Sequence, residues 1–213
     1  MTRRRSLHRE AGQSSLVEIS ATLLILAVVL GFLYTSIGSA ERVTTGSKLR
    51  VTNLDEARTL MAVLTKDIRT ATRLEAGGAP FVTATDRDIT FYANLDNATD
   101  GPRKIHMYVD ANQQIVSAVQ TPDAGSAPNY TYTGAVRLRY VGRYLANTAT
   151  EPVFEYFDAD STELTAPLSG PDLLAVASVK ITLVVRASTT MPVGNVTLVD
   201  QVRLPNVEYQ TTA

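Results

Sequence analysis

Apolar and polar positions follow three different patterns along this chain, and each pattern predicts a different element. From Ile19 to Ile37 there is no alternation at all: the run ISATLLILAVVLGFLYTSI holds nineteen residues without a charge. At 1.5 Å per residue a helix of that length covers about the ~30 Å of a bilayer's hydrocarbon core, so a membrane span is expected. Residues 43–50 turn polar, with Gly46 as a weak point. Beyond them Leu54, Ala57, Leu60, Met61, Leu64, Ile68, Ala71 and Leu74 recur at steps of three and four. That spacing predicts an amphipathic helix over about 53–75, its apolar face buried against whatever follows. Thr52 or Asn53 would cap it, Asp55 and Glu56 would fill its first turn, Arg69 and Arg73 its last, and Gly77-Gly78 would stop it.

After Gly78 the period falls to two. Short runs at Asp88–Ala93, Lys104–Val109, Gln114–Val119, Ala135–Tyr140, Val153–Phe157, Val176–Val185 and Val196–Leu204 are separated by Gly, Pro, Asn and Asp, and are read as strands. A long helix followed by short strands predicts an α+β fold in which an antiparallel sheet head covers the apolar face of residues 54–74. The chain thus divides into a basic leader (1–12), the membrane half of an N-terminal helix (13–37), a polar connection with the amphipathic helix (38–76) and a β-rich head (77–213).

Charge gives these segments an orientation. Residues 1–12 carry four arginines (Arg3, Arg4, Arg5, Arg9) against Glu10, a net of +3, which leaves −4 for the rest of a chain whose total is −1. Basic residues before a span hold the N-terminus in the cytoplasm and send the head out of it. The overall balance gives no field that would favour nucleic acid. There is no cysteine, so disulfide scaffolds, thiol catalysis and thiolate metal sites are excluded. Two histidines, His8 and His106, leave little material for imidazole chemistry. No phosphate loop, dinucleotide fingerprint or nucleophile elbow is present. The expectation is a protein that is not an enzyme and takes no cofactor.

One ionisable residue stands out. Glu18 enters the apolar helix with no basic residue within a helical turn on either side. An ionisable group at membrane depth costs roughly 2.5–3.5 kcal/mol on insertion scales and is a functional candidate by default. At the headgroup edge of an ordinary signal anchor, the same carboxylate could reach water.

A basic leader, a glycine, a few residues, a lone glutamate and an apolar helix together resemble the class III signal of type IV prepilins and secretion-system pseudopilins. The resemblance implies that a prepilin peptidase cuts after the glycine and methylates the new N-terminus, while the helix is retained. Gly12 would be the last leader residue, and Glu18 would neutralise the N-terminal ammonium of a neighbouring subunit. Glu18 is the sixth residue after Gly12, whereas the family places its glutamate fifth. Cleavage at Gly12–Gln13 leaves one extra residue, and cleavage at Gln13–Ser14 restores the spacing. The later stretch LDEARTLMAVLTKDIRTATRLE is similar to the helix of minor pilins and J-type pseudopilins, with an Ala57-Arg58 pair, Leu60 and the triplet Asp67-Ile68-Arg69.

The resemblance implies a pilin-like fold and a structural subunit of a type IV pilus, secretion or DNA-uptake filament. In such a filament the helices would pack through Leu23, Ile25, Leu26, Val29, Leu30 and Leu33. The expected partners are a prepilin peptidase, other subunits and, by a single pass, the membrane. The expected location is the cell membrane and then an extracellular or periplasmic filament. A stand-alone anchored binding module and a tight-adherence pilus subunit are the alternatives.

Three smaller patterns remain. Asp158, Asp160 and Glu163 could hold Ca²⁺, but they lack the glycine and register of an EF-hand, so a solvated hairpin turn is favoured. The triplets at Asn97, Asn129 and Asn195 match N-glycosylation acceptors in a chain rich in Asn and Thr. His106, inside an expected strand, is read as a cross-strand partner.

Overall fold

A computed structural model describes the backbone of residues 7–75, 77–95, 100–186 and 194–207, with side chains described from residue 16 onward. Two compact units divide the chain, Met1–Lys48 and Leu49–Ala213. The α-helix α1 (Leu7–Arg69) belongs to both. The expected break near Gly46 and the caps at Thr52 or Asn53 do not occur: helix continues through all three positions, and Asp55 and Glu56 lie in its interior.

The expected C-terminus near residue 75 is also corrected. α1 stops at Arg69, because the backbone groups that would extend it are used elsewhere. The Thr70 N–H and Oγ1 both donate to the Asp67 carbonyl (3.2 and 2.7 Å), and the Thr70 carbonyl accepts from the Asn94 N–H. Ala71 and Thr72 then form a short strand, β1 (Ala71–Thr72), pairing with Ala93 and Tyr92. Lys66 and Arg69 occupy the last turn, where their charge suits the helix dipole; Arg73 lies beyond it.

In the second unit the strands are antiparallel. β2 (Phe81–Ala84), β3 (Asp88–Ala93), β4 (Arg103–Val109), β5 (Ile115–Gln120) and, after a small hairpin of β6 (Ala124–Ser126) and β7 (Asn129–Thr131), β8 (Arg137–Gly142) follow one another. The order β1-β3-β4-β5-β8, with β2 also on β3, makes a six-stranded sheet. A second sheet has the order β10-β9-β11-β12, from β9 (Phe154–Phe157), β10 (Glu163–Leu164), β11 (Ser178–Val185) and β12 (Val196–Arg203), with a one-turn helix α2 (Pro171–Ala175) before β11. The seven expected strands are β3, β4, β5, β8, β9, β11 and β12, each with ends within about two residues of the period-two reading.

One apolar core joins helix and sheets. Ala57, Leu60, Met61, Leu64 and Ile68 of α1 are buried with Ile89, Phe91, Ile105 and Met107 of the first sheet and Phe154, Tyr156, Val179 and Ile181 of the second. Leu54, expected in the core, is only half-buried, and Asn53 beside it is buried instead. Phe81 meets Phe91 and Tyr156 edge to face, with centroids 6.0 and 6.2 Å apart, an arrangement favoured by the ring quadrupoles. The architecture is α+β, with a long N-terminal helix and antiparallel sheets.

Candidate functional site

In the first unit the side chains from Leu16 to Lys48 lie on a helix with no sheet of that unit to bury them. The most apolar eighteen-residue window of α1 has a mean hydropathy of 2.5 and no buried residue, so this is a helix long and apolar enough to cross a membrane. Leu23, Ile25, Leu26, Val29, Leu30 and Leu33 are all exposed, from 47% at Val29 to 61% at Ile25. At 100° per residue these six side chains fall within an arc of about 160°, and Glu18 falls inside the same arc, one side of it shared with Ile25 and Val29. Leu24, Val28 and Phe32 fill the remaining face and are exposed as well. A helix apolar all round needs a partner other than water on every side.

Several hydroxyls of this helix are satisfied within it. Ser20 Oγ donates to the Val17 carbonyl (2.9 Å), Thr22 Oγ1 to those of Glu18 and Ile19 (2.7 and 2.9 Å), Thr35 Oγ1 to that of Phe32 (2.9 Å) and Ser39 Oγ to that of Ser36 (2.9 Å). Back-bonding of this kind removes most of the cost of a hydroxyl in hydrocarbon. Glu18 has no such arrangement, and among the described residues no cation pairs with it. Gly12, Gln13 and Ser14 lie within α1, but their side chains fall outside the described residues.

In the head, Ala57, Leu60 and Ile68 serve as core contacts, and Asp67 is buried with its Oδ2 3.3 Å from Arg139 Nη2 on β8. Thr65 Oγ1 donates to Asp200 Oδ2 on β12 (3.1 Å), so this stretch of helix is tied by polar groups to a strand of each sheet. The Asp67–Arg139 pair was not visible in the sequence, because 72 residues separate its partners.

The remaining candidates are structural. Asp158 Oδ1 accepts from the N–H groups of Asp160 and Thr162 (2.9 and 2.8 Å), so this carboxylate closes the β9–β10 turn. Among the described residues no three acidic or imidazole groups gather as metal ligands, Asp158, Asp160 and Glu163 included. His106 Nε2 sits 2.7 Å from Asp88 Oδ2 across β3 and β4, and its ring stacks on Tyr108. This is the cross-strand role expected of it. Asn97 lies outside the described residues, Asn129 begins β7, and Asn195 precedes β12.

Burial acts on two tyrosines of the head to different degrees, Tyr156 being fully buried and Tyr132 partly so. Burial pushes the Tyr156 hydroxyl well above its ordinary pKa, with the charges of Asp88 and Asp86 adding to the effect. It donates to the Thr85 carbonyl at 2.8 Å. Tyr132 is raised by desolvation first and then by Tyr92 and Tyr130; it packs on Tyr92 with centroids 5.4 Å apart and donates to the Pro102 carbonyl. Asp123 is lowered, first by the Thr133 hydroxyl and then by the Thr133 N–H, a short polar clasp at the base of the β6–β7 hairpin.

Compared with protein-family models, curated proteins and solved structures, the chain matches none.

Proposed function

We propose that this chain is a minor pilin or pseudopilin, a non-enzymatic subunit that is inserted by its apolar helix, processed near Gly12 and drawn into a filament of the type IV pilus or secretion class. The observation that carries the reading is the composition of α1. Its apolar stretch is exposed all round and is entered by Glu18, which among the described residues pairs with no cation, and its second part forms the core of a β-rich unit. A simple tether requires the first property and gives no reason for Glu18. A subunit that exchanges lipid contacts for helix contacts has a use for both, since neighbouring helices can pack by van der Waals contact while Glu18 meets a new N-terminal ammonium. The N-terminus is cytoplasmic and the head extracytoplasmic, by the bias of Arg3, Arg4, Arg5 and Arg9.

Intact mass of the membrane form tests this reading. Co-expression with a prepilin peptidase shortens the chain by twelve or thirteen residues and adds a methyl group, and Gly12→Val blocks both changes. A mature chain beginning near Glu41 would mean ordinary signal-peptidase cleavage after Gly38-Ser39-Ala40 and would remove the filament reading. An uncleaved leader would favour the anchored binding module.

A further inference from the structure

β8 ends the six-stranded sheet with β5 as its neighbour, and among the described residues no strand pairs with its other edge. Arg137, Leu138, Arg139 and Tyr140 are four successive exposed residues within a regular strand, paired in order with Val119, Ala118, Ser117 and Val116. Both faces of the strand are therefore accessible. Leu138 and Tyr140 are each 59% exposed on one face, with Val136 beside them, while Arg137 and Arg139 occupy the face shared with α1. Exposed edges are ordinarily blunted by proline, by brevity, by a bulge along the open stretch or by charged side chains. β8 has six residues and no proline, and its one irregularity lies beyond Tyr140, at the Gly142 end, so its guard is the charge of Arg137 and Arg139, which discriminates between incoming strands. The edge strand of the other sheet differs, since Asp200 of β12 is tied to α1 through Thr65.

The charges on β8 identify what fits against it. A second copy related by a two-fold axis through the sheet would pair antiparallel, with opposing residues on the same face. Registers centred on Leu138, Arg139 or Arg137 set Arg137 against Arg139, Arg139 against itself or Arg137 against itself, and a register centred on Tyr140 runs into the irregular Gly142 end. Like charges directly opposite destabilise a strand pair. An acidic strand meets the opposite situation: Arg137 is exposed, and Arg139, already on Asp67, keeps 57% of its side chain exposed with donors to spare. We propose that the open edge of β8 receives an extended acidic segment of a different protein as an added strand. Acidic side chains meet Arg137 and Arg139 on one face, and apolar ones meet Leu138 and Tyr140 on the other. Main-chain hydrogen bonds hold the segment and the alternation selects it.

The test uses the full chain in detergent micelles and fluorescein-labelled hexapeptides read by anisotropy. A peptide alternating glutamate with valine binds about tenfold more tightly than one alternating lysine with valine, the scale expected when like charges are replaced by opposite ones at an interface. N-methylation of alternate amides abolishes binding in one phase and spares it in the other, because an edge uses only every second amide. Arg137→Glu reverses the preference between the two peptides. Absence of saturable binding by the acidic peptide, equal affinity for both peptides, or indifference to N-methylation in both phases alike would each overturn the proposal.

Discussion

Gly142 at the end of β8 packs directly on Leu60 of α1: a Cβ placed on Gly142 would overlap Leu60 Cδ2 and come within 3.0 Å of Cδ1. The absent side chain is what lets the helix approach this sheet, since Leu60 is itself almost fully buried. Gly142→Ala is predicted to destabilise the head by about 1–3 kcal/mol, the usual range for overpacking. Leu60→Ala alone costs about 2–5 kcal/mol through the cavity it leaves. Combined, the two changes cost less than the sum of the singles, because the new methyl occupies space that the leucine vacated. Urea unfolding of the four proteins in a double-mutant cycle measures this; strict additivity would mean that the contact does not limit the approach.

Leu64 and Leu26 lie on the same helix in opposite circumstances. Leu64 is fully buried among the sheet residues, whereas Leu26 is 52% exposed in the unit Met1–Lys48. A chain beginning at Leu49 is predicted to be soluble and cooperatively folded, because it contains the entire compact unit. Within it Leu64→Ala lowers stability by about 2–5 kcal/mol. Leu26→Ala in the full chain leaves the unfolding of the head unchanged. A neutral Leu64→Ala would mean that the helix is not packed on the sheets.

Alkaline pH acts on the head through Tyr156. Its pKa is raised by burial, so above the unfolded tyrosine value of about 10 the unfolded chain gives up a proton that the folded one keeps. The unfolded state then binds fewer protons, and stability falls as pH rises toward the folded pKa; below about pH 10 the contribution is intact. Tyr156→Phe is predicted to cost about 1 kcal/mol at neutral pH, from the lost hydrogen bond to the Thr85 carbonyl, and to flatten the alkaline decline. A remaining slope is expected from Tyr132, which is raised for the same reason. Urea midpoints between pH 7 and 11 on the chain from Leu49 provide the measurement; an unchanged slope in the variant would mean that Tyr156 titrates normally.

What the sequence revealed of this fold depended on the range of each interaction. The strands β3, β4, β5 and β11 are short apolar-rich runs bounded by turn residues and were legible as such, though only β4 buries strictly alternate positions, and the face of α1 from Ala57 to Ile68 was legible from its period. The end of α1 was not legible. Ala71 and Leu74 continue the helical spacing, but Ala71 is buried by pairing with Ala93, a partner more than twenty residues away. The short strands β1, β2 and β10 hold two to four residues each, too few to show a period. The candidate site divides in the same way. Glu18 and the apolar residues around it are local features and could be read directly, whereas the exposed edge at β8 looks in sequence like any alternating strand. Only its position at the end of the sheet distinguishes it.

The two uses of Glu18 differ in what its mutation does. In a plain anchor the carboxylate reaches water at the headgroup edge, so Glu18→Ala relieves at most the roughly 2.5–3.5 kcal/mol of a centrally placed charge and changes nothing else. In a filament subunit it provides the counter-charge for a neighbouring N-terminal ammonium, a pair strengthened by a low-dielectric setting though offset by desolvation. Among the described residues no cation of its own helix pairs with it, and it shares an arc of that helix with Ile25 and Val29, where a neighbouring helix would lie. Glu18→Ala is therefore predicted to leave the urea midpoint of the head unchanged, to permit insertion, and to reduce incorporation into filaments sharply. Glu18→Gln, which keeps the shape and removes the charge, behaves as Glu18→Ala does if the ion pair is what matters. Quantifying the sheared filament fraction against the membrane fraction reads both variants. Wild-type incorporation of Glu18→Ala would leave the carboxylate without a part in assembly, and the filament reading would lose the residue that most separates it from a tether.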